Sequence, residues 1–498
     1  MQRLSPQDLM TLWPDEVGQW QDMGALVLLG APPEGRDGHD SGRDHGGGDH
    51  RGGDHGRRDE RAWLADVQSM VAARLDRAPR LRQVLLVPPA PLGRPLWVDS
   101  QSFDVRDHVR LRPLSPPCDE RALLDDVELL RRRRLDPALP LWQLWLLTGR
   151  SGGPRAAYLR VHHALADGPA AVTMLLASFF DVLDVLDVEA DPPAAAATAS
   201  STSTGSATAD RVRPTWPWVP TPPPSSPELF RDNAARSRSA LTSARAAAAR
   251  AAGDPVDLVR RAGRSAGALR EALADPLPRS TLTRPIGPRR RLAVVRSELR
   301  RIAATAHASG GTVNDALLSA VAGGLRDLLL ERGEGTGGIA PRAIVPVALP
   351  HAPGESAQGN RLGQIIVPLP VDVADPSQRL RLITARTAHA KTRATPRRPP
   401  VLRGAPLQRA AMRLARHQRA YSIYVADVQG PRTPLHLLDA PALEIFPVVP
   451  LMGNVTLGVG ALSYAGRFAV MAVADRDACP DVEVFTTGVA ATFREFGA

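Results

Sequence analysis

Apolar and polar positions in this 498-residue chain alternate in short runs that switch between a two-residue and a roughly 3.6-residue period. Runs at 25–29, 156–161, 291–298, 342–349, 364–371, 423–428, 455–462 and 467–474 predict strands. Ala465-Gly466 sits between the last two and reads as a hairpin turn. Helical spacing at 61–75, 169–180, 312–330 and 378–391 predicts helices. Thr312 is placed to cap the third of these, with Asp315 as its capping-box partner. Strands that alternate with helices through both ends of the chain predict an α/β fold.

Two segments break the pattern. Residues 35–58 repeat Gly, Asp, His and Arg, with histidines at His39, His45, His50 and His55. Such a stretch has no apolar surface to bury and is expected to be a disordered insertion. Residues 191–227 are rich in Pro, Ala, Ser and Thr and read as an extended linker. Beyond it, 228–274 has helical composition with a break at Gly253-Asp254-Pro255. Arg231, Arg238 and Arg245 recur there at seven-residue spacing, on one helix face. That face is either simply solvated or an interfacial surface for lipid. The expected units are an N-terminal half at 1–185, a linker with basic helices at 186–285, and a C-terminal half at 286–498.

Composition narrows the class. Hydrophobic residues make up 43% of the chain but aromatics only 4%, so Leu, Val and Ala must fill the cores. Cys118 and Cys479 are the only cysteines, which fits a reducing compartment and gives no disulfide framework or zinc ribbon. The start of the chain has no basic segment followed by an apolar core, and no apolar run of about eighteen residues follows, so neither a secretory signal nor a membrane span is expected. Net charge is +10, carried almost wholly by arginine, with Lys391 the sole lysine. No interleaved aromatic and basic motif accompanies that charge, so nucleic-acid binding is not expected. Phosphate groups of a small ligand or of lipid headgroups suit it better.

The sharpest chemical signal is His162-His163-Ala164-Leu165-Ala166-Asp167-Gly168. It lies between a predicted strand and a predicted helix, where a tight turn can aim one imidazole into a cavity. Imidazole titrates near neutrality and can take a proton from a hydroxyl and return it to a leaving group. A metal reading lacks a further Cys or His cluster to complete a ligand sphere, so no metal is expected.

The full HHxxxDG pattern resembles the signature of the CoA-dependent acyltransferase superfamily, which includes chloramphenicol acetyltransferases and condensation domains. Other segments narrow the resemblance to the bacterial wax ester synthase/diacylglycerol acyltransferase family. Leu4-Ser5-Pro6-Gln7-Asp8, Pro140-Leu141-Trp142, Thr312-Val313-Asn314-Asp315 and Gly359-Asn360-Arg361-Leu362-Gly363 are similar to that family's motifs. Gly430-Pro431, Pro447-Val448-Val449-Pro450-Leu451, Leu462-Ser463-Tyr464 and Ala474-Asp475-Arg476 follow in the same order. Two places depart. The family's S-N-x-x-G-P is Ala426-Asp427-Val428-Gln429-Gly430-Pro431 here, and its Gly-Leu-Asn stretch becomes Met452-Gly453-Asn454-Val455-Thr456.

The resemblance implies two chloramphenicol-acetyltransferase-like domains around a central tunnel, joined by a long linker. It implies transfer of a long-chain acyl group from acyl-CoA to diacylglycerol or a fatty alcohol, with acyl-CoA as co-substrate and no other cofactor. By the same resemblance His163 is the general base, while His162 and Asp167 are structural and Gly168 gives the turn its backbone freedom. Asp167 is expected to pair with an arginine. Asn314 and Asn360 are candidates to bind substrate, Asn314 by donating to the oxyanion or orienting the acceptor. A cytoplasmic protein that works at a lipid surface, the inner membrane face or lipid droplets, would fit such substrates. Two alternatives stay open: a superfamily relative acting on a specialised metabolite or carrier-bound acyl group, and a non-catalytic lipid-binding relative.

Overall fold

A computed structural model describes residues 2–4, 9, 11–12, 14–30, 52–149, 155–165, 179–181, 218–253, 276–348, 362–392, 395–396 and 413–497. The first part of the chain forms β1 (Asp22–Leu29), α1 (Gly52–Arg74), β2 (Gln83–Leu86), β3 (Leu96–Asp99), β4 (Val109–Pro113), α2 (Glu120–Arg131), β5 (Trp142–Thr148), β6 (Arg155–His162) and α3 (Ser226–Gly253). The second part forms β7 (Arg290–Glu298), α4 (Leu299–Ala308), α5 (Val313–Glu331), β8 (Arg342–Ala348), β9 (Leu362–Pro368), α6 (Pro376–Thr392) and β10 (Thr395–Pro396). It continues with β11 (Ile423–Gln429), β12 (His436–Leu437), β13 (Ala440–Val448), β14 (Leu457–Tyr464), β15 (Arg467–Asp475) and α7 (Val482–Glu495).

The strands build two large mixed sheets. The first has the order β12-β13-β1-β6-β5-β4 and the second β10-β9-β8-β11-β14-β15-β7. This is the α/β, two-part arrangement expected from the sequence. The connectivity holds one surprise. β13 pairs antiparallel with β1, from Gly24 opposite Val448 to Leu29 opposite Ala442. The first sheet is therefore completed by strands from the far end of the chain.

Local chemistry accounts for several elements. Thr312 accepts the Asp315 N–H, and the Asp315 carboxylate accepts the Thr312 N–H at 2.8 Å, closing the predicted capping box. Ala465 and Gly466 both have positive φ, 45° and 81°, as the tight turn between β14 and β15 requires. α7 packs on α5 closely enough that a Cβ on Gly324 would lie 2.5 Å from the Phe485 carbonyl oxygen, so only glycine fits there. One expectation needs correction. α1 begins at Gly52, so the end of the 35–58 segment, expected to be irregular, is helical. Val67 and Val71 anchor the helix in the core, and elongating a formed helix into polar residues adds a hydrogen bond per residue without a new nucleation cost.

Among the described residues, three apolar clusters hold the fold. One lies between the second sheet and helices α4–α7, around Leu317, Val321, Phe485 and Val489. A second lies under α1, around Val67, Val71, Trp142 and Val161. The third joins the halves, where Tyr158 and Phe446 from the first sheet meet Leu292 and Met471 from the second.

Candidate active site

β6 ends at His162, directly across from Asp22 at the start of β1. The chain then reverses sharply. The His162 N–H donates to the Leu141 carbonyl, the His163 N–H to the Gln21 carbonyl and the Leu165 N–H to the His162 carbonyl, each at 2.9 Å. Below the turn, the buried Arg160 guanidinium pairs with Asp22 and donates to the Leu130 carbonyl at 2.6 Å.

The two histidines have different environments. His162 is buried, and its Nδ1 lies 3.0 Å from the Ala164 N–H. A backbone N–H can only donate, so Nδ1 accepts and the ring proton sits on Nε2. Nε2 then donates to Asp15 Oδ2 at 3.2 Å. Both ring nitrogens of His162 thus serve the turn. His163 is half-buried and keeps accessible surface. Of the two imidazoles, His163 is the one with surface open to a ligand.

The Pro140-Leu141-Trp142 segment supports this arrangement from below. Leu141 supplies the carbonyl that holds the His162 N–H. Trp142 is fully buried, donates from Nε1 to the Leu81 carbonyl at 2.7 Å and stacks on His108 with ring centroids 4.5 Å apart. His108 donates from Nδ1 to the Trp142 carbonyl at 2.9 Å, and burial pushes its pKa down, so it is held neutral.

Asn314 lies half-buried in the first turn of α5. α5 leads back through a short loop into β8, so its N-terminus lies at the end of the second sheet where the parallel strands β8 and β11 finish. Asp427, near the end of β11, shares a strand face with Ile423 and Val425, which are buried against the helices. Asn314 and Asp427 therefore occupy the same end of the second half. Burial pushes the Asp427 carboxyl up to about 7, and no charged or hydrogen-bonding neighbour among the described residues offsets that cost. β8 and β11 pair only at Ala343–Ile423 and Ile344–Tyr424. Pro346, with no N–H to give, stands where the ladder stops. Asp167, Gly168 and Asn360 lie outside the described residues.

Sequence reasoning missed Asp15, Gln19, Gln21 and His108. Only the polar run around Trp20 could have drawn notice to the first three, and nothing local ties it to the histidines. A cavity of about 280 Å³ lined by Arg296, Glu444, Tyr464 and Arg467 lies toward the other end of β13 from the histidine turn, so it is not the seat of the chemistry outlined above.

Comparison with known proteins agrees with this layout. Residues 4–317 match the model of the wax ester synthase/diacylglycerol acyltransferase catalytic domain, and residues 358–496 match the C-terminal domain of the same enzymes. The chain belongs to the wax ester synthase/diacylglycerol acyltransferase family. Within this family it is 30% identical, over 441 residues and 86% of each chain, to tgs1 of Mycobacterium tuberculosis, named a probable diacylglycerol O-acyltransferase. A Mycobacterium bovis relative of similar name matches to the same extent. Among solved structures, the wax ester synthase/diacylglycerol acyltransferase from Marinobacter aquaeolei VT8 superposes over the whole of both chains with a TM-score of 0.61 at 23% identity. The first condensation domain of the CDA synthetase gives a TM-score of 0.52 at 15% identity, covering 100% of this chain and 96% of that one. These two likenesses speak for the fold.

Proposed function

We propose that this chain is an O-acyltransferase that moves a long-chain acyl group from acyl-CoA to diacylglycerol or a fatty alcohol, forming triacylglycerol or wax ester. The observation that carries the reading is the division of labour at the turn: His162 is locked by Asp15 and Ala164, and His163 keeps accessible surface. His163 takes the proton from the acceptor hydroxyl as that oxygen attacks the thioester carbonyl. The tetrahedral intermediate collapses, the carbon–sulfur bond breaks, and the imidazolium returns its proton to the CoA thiolate. No acyl-enzyme is needed, and acyl-CoA is a co-substrate with no further cofactor. General-base action of this kind contributes roughly 10²–10⁴-fold. Asn314 is the candidate donor from the second half to the oxyanion or the acceptor. Asn360, from the Gly359-Asn360 segment, is a second polar contact for substrate, and Asp167 and Gly168 shape the turn.

The test is product analysis with palmitoyl-CoA and either hexadecanol or diolein. Ester formation with either acceptor supports the reading. Turnover of neither, with another alcohol accepted, moves the protein to a specialised acceptor, a reading favoured by the buried carboxyl of Asp427 at the same end of the second half as Asn314. Binding of acyl-CoA without any transfer leaves a lipid-binding protein.

The substrates are poorly soluble, and no helix among the described residues is long and apolar enough to cross a membrane. α3 supplies the contact with lipid. Leu229 is buried, Arg3 pairs with Asp232 at 2.5 Å, and Asn233 donates to the Pro91 carbonyl at 2.8 Å, which fixes the start of the helix. Arg231, Arg238 and Arg245 are all exposed. Phe230 and Leu241 are also exposed, and their eleven-residue spacing, about three turns, aligns them beside the arginine stripe. The protein should float with anionic vesicles, and less so as salt rises. Each arginine is worth about 1 kcal/mol near an anionic leaflet, so changing all three to glutamine should strongly reduce flotation, with a circular-dichroism melt as the fold control. Equal flotation of the triple variant removes α3 from this role.

A further inference from the structure

The loop after β13 links the two sheets, because β13 lies in the first and β14 in the second. At its centre Gly453 has φ +72°, and a Cβ there would lie 2.8 Å from the Ala415 carbonyl oxygen. The Gly453 peptide is gripped from the other half by one side chain. Gln19 Oε1 accepts the Gly453 N–H at 2.9 Å, and Gln19 Nε2 donates to the Gly453 carbonyl at 3.1 Å. Gln19 is buried, so neither bond competes freely with water.

The grip continues without a break to the histidines. Gln21 Nε2 donates to the Gln19 carbonyl at 3.1 Å, and the Gln21 carbonyl accepts the His163 N–H at 2.9 Å. The Gln21 N–H donates to Asp15 Oδ1 at 3.1 Å, while Asp15 Oδ2 accepts from His162. One short segment thus touches both histidines on one side and the crossover loop on the other. We infer that Gln19 is a positioning residue, whose carboxamide clasps the Gly453 peptide and so holds the connection between the two sheets against the turn that carries His163. The inference rests on the reading of His163 as the base. Its physical content is alignment: groups from the second half meet the imidazole only while the loop and the turn keep register, and a displacement of about 1 Å can cost on the order of 10²-fold in rate.

Gln19→Glu tests this within one protein. A neutral carboxylic acid keeps both bonds, its carbonyl accepting the Gly453 N–H and its hydroxyl donating to the Gly453 oxygen. Once ionised it loses the donor and sets a negative oxygen against that carbonyl. Burial raises the pKa of the introduced acid. Asp15 on the same segment opposes its ionisation, Arg134, 3.8 Å from Asp15, favours it, and His162 faces the Asp15 carboxylate. The turnover number of Gln19→Glu relative to the unaltered protein should therefore approach one near pH 5.5 and fall at least about tenfold by pH 8.5. Gln19→Ala should be low at every pH, with KM for acyl-CoA little changed. Hydrogen exchange at the His163 amide should speed up in Gln19→Ala at a temperature where the far-ultraviolet spectrum is native. That readout stands even if His163→Ala proves active, an outcome that would sink the base assignment without touching the clasp. If Gln19→Ala does not fold, the two protonation states of Gln19→Glu still decide the matter. A pH profile parallel to that of the unaltered protein, or unchanged exchange at His163, overturns the inference.

Discussion

His163→Ala should lower turnover of palmitoyl-CoA with hexadecanol or diolein at least about a hundredfold, with a melting temperature close to that of the unaltered protein. The bonds that tie the turn to Leu141 and Gln21 run through the backbone, so truncating the half-buried His163 ring leaves them in place. His162→Ala should show the opposite balance. It leaves the Ala164 N–H without its acceptor, an unpaired buried polar group that costs about 1–3 kcal/mol, and takes one of several partners from the Asp15 carboxylate. Its first symptom should be a lower melting temperature, with loss of activity expected from the loosened turn. A folded His163→Ala protein with nearly full turnover would remove His163 from the chemistry.

Asp427→Asn should raise the melting temperature at pH 8 and leave it almost unchanged at pH 4. An ordinary aspartate loses its proton near 3.8, whereas burial holds Asp427 to about 7. Between those values the unfolded chain releases a proton that the folded chain retains. Stability therefore falls as pH rises through this window and levels off above about 7. Asparagine has no proton to lose, so the variant escapes that decline. Melting curves of both proteins from pH 4 to pH 8.5 decide the point. A difference independent of pH would mean that the carboxyl ionises normally in the fold.

Much of this architecture is legible in the sequence where its causes are local. β6, the β14–β15 hairpin and α5 all announce themselves, through apolar alternation, through Ala465-Gly466 and through the Thr312–Asp315 box. The histidine turn is legible for the same reason, since its strand and its motif are contiguous. What escapes is whatever depends on distant partners. Asp15 acquires its meaning only from His162, 147 positions away. His108 gains importance from the Trp142 ring stacked on it. The pairing of β13 with β1 leaves no trace in either strand: β1 is an ordinary apolar run, and Pro441, Glu444 and Pro447 interrupt the apolar pattern of β13, which is not among the predicted strands. α1 starts early because its buried half, not its polar start, sets the helix.

The placement of β13 bears on how the molecule comes into being. A ribosome delivers β1, β5 and β6 long before β13 exists. Until then β1 presents an open row of amide and carbonyl groups, the kind of edge that recruits stray strands. Synthesis of the first part alone cannot yield a finished sheet, so fragments ending before residue 440 should aggregate rather than fold. Closing that edge also brings the Gly453 loop up to Gln19, so the clasp between the two sheets can form only once residue 453 has been made.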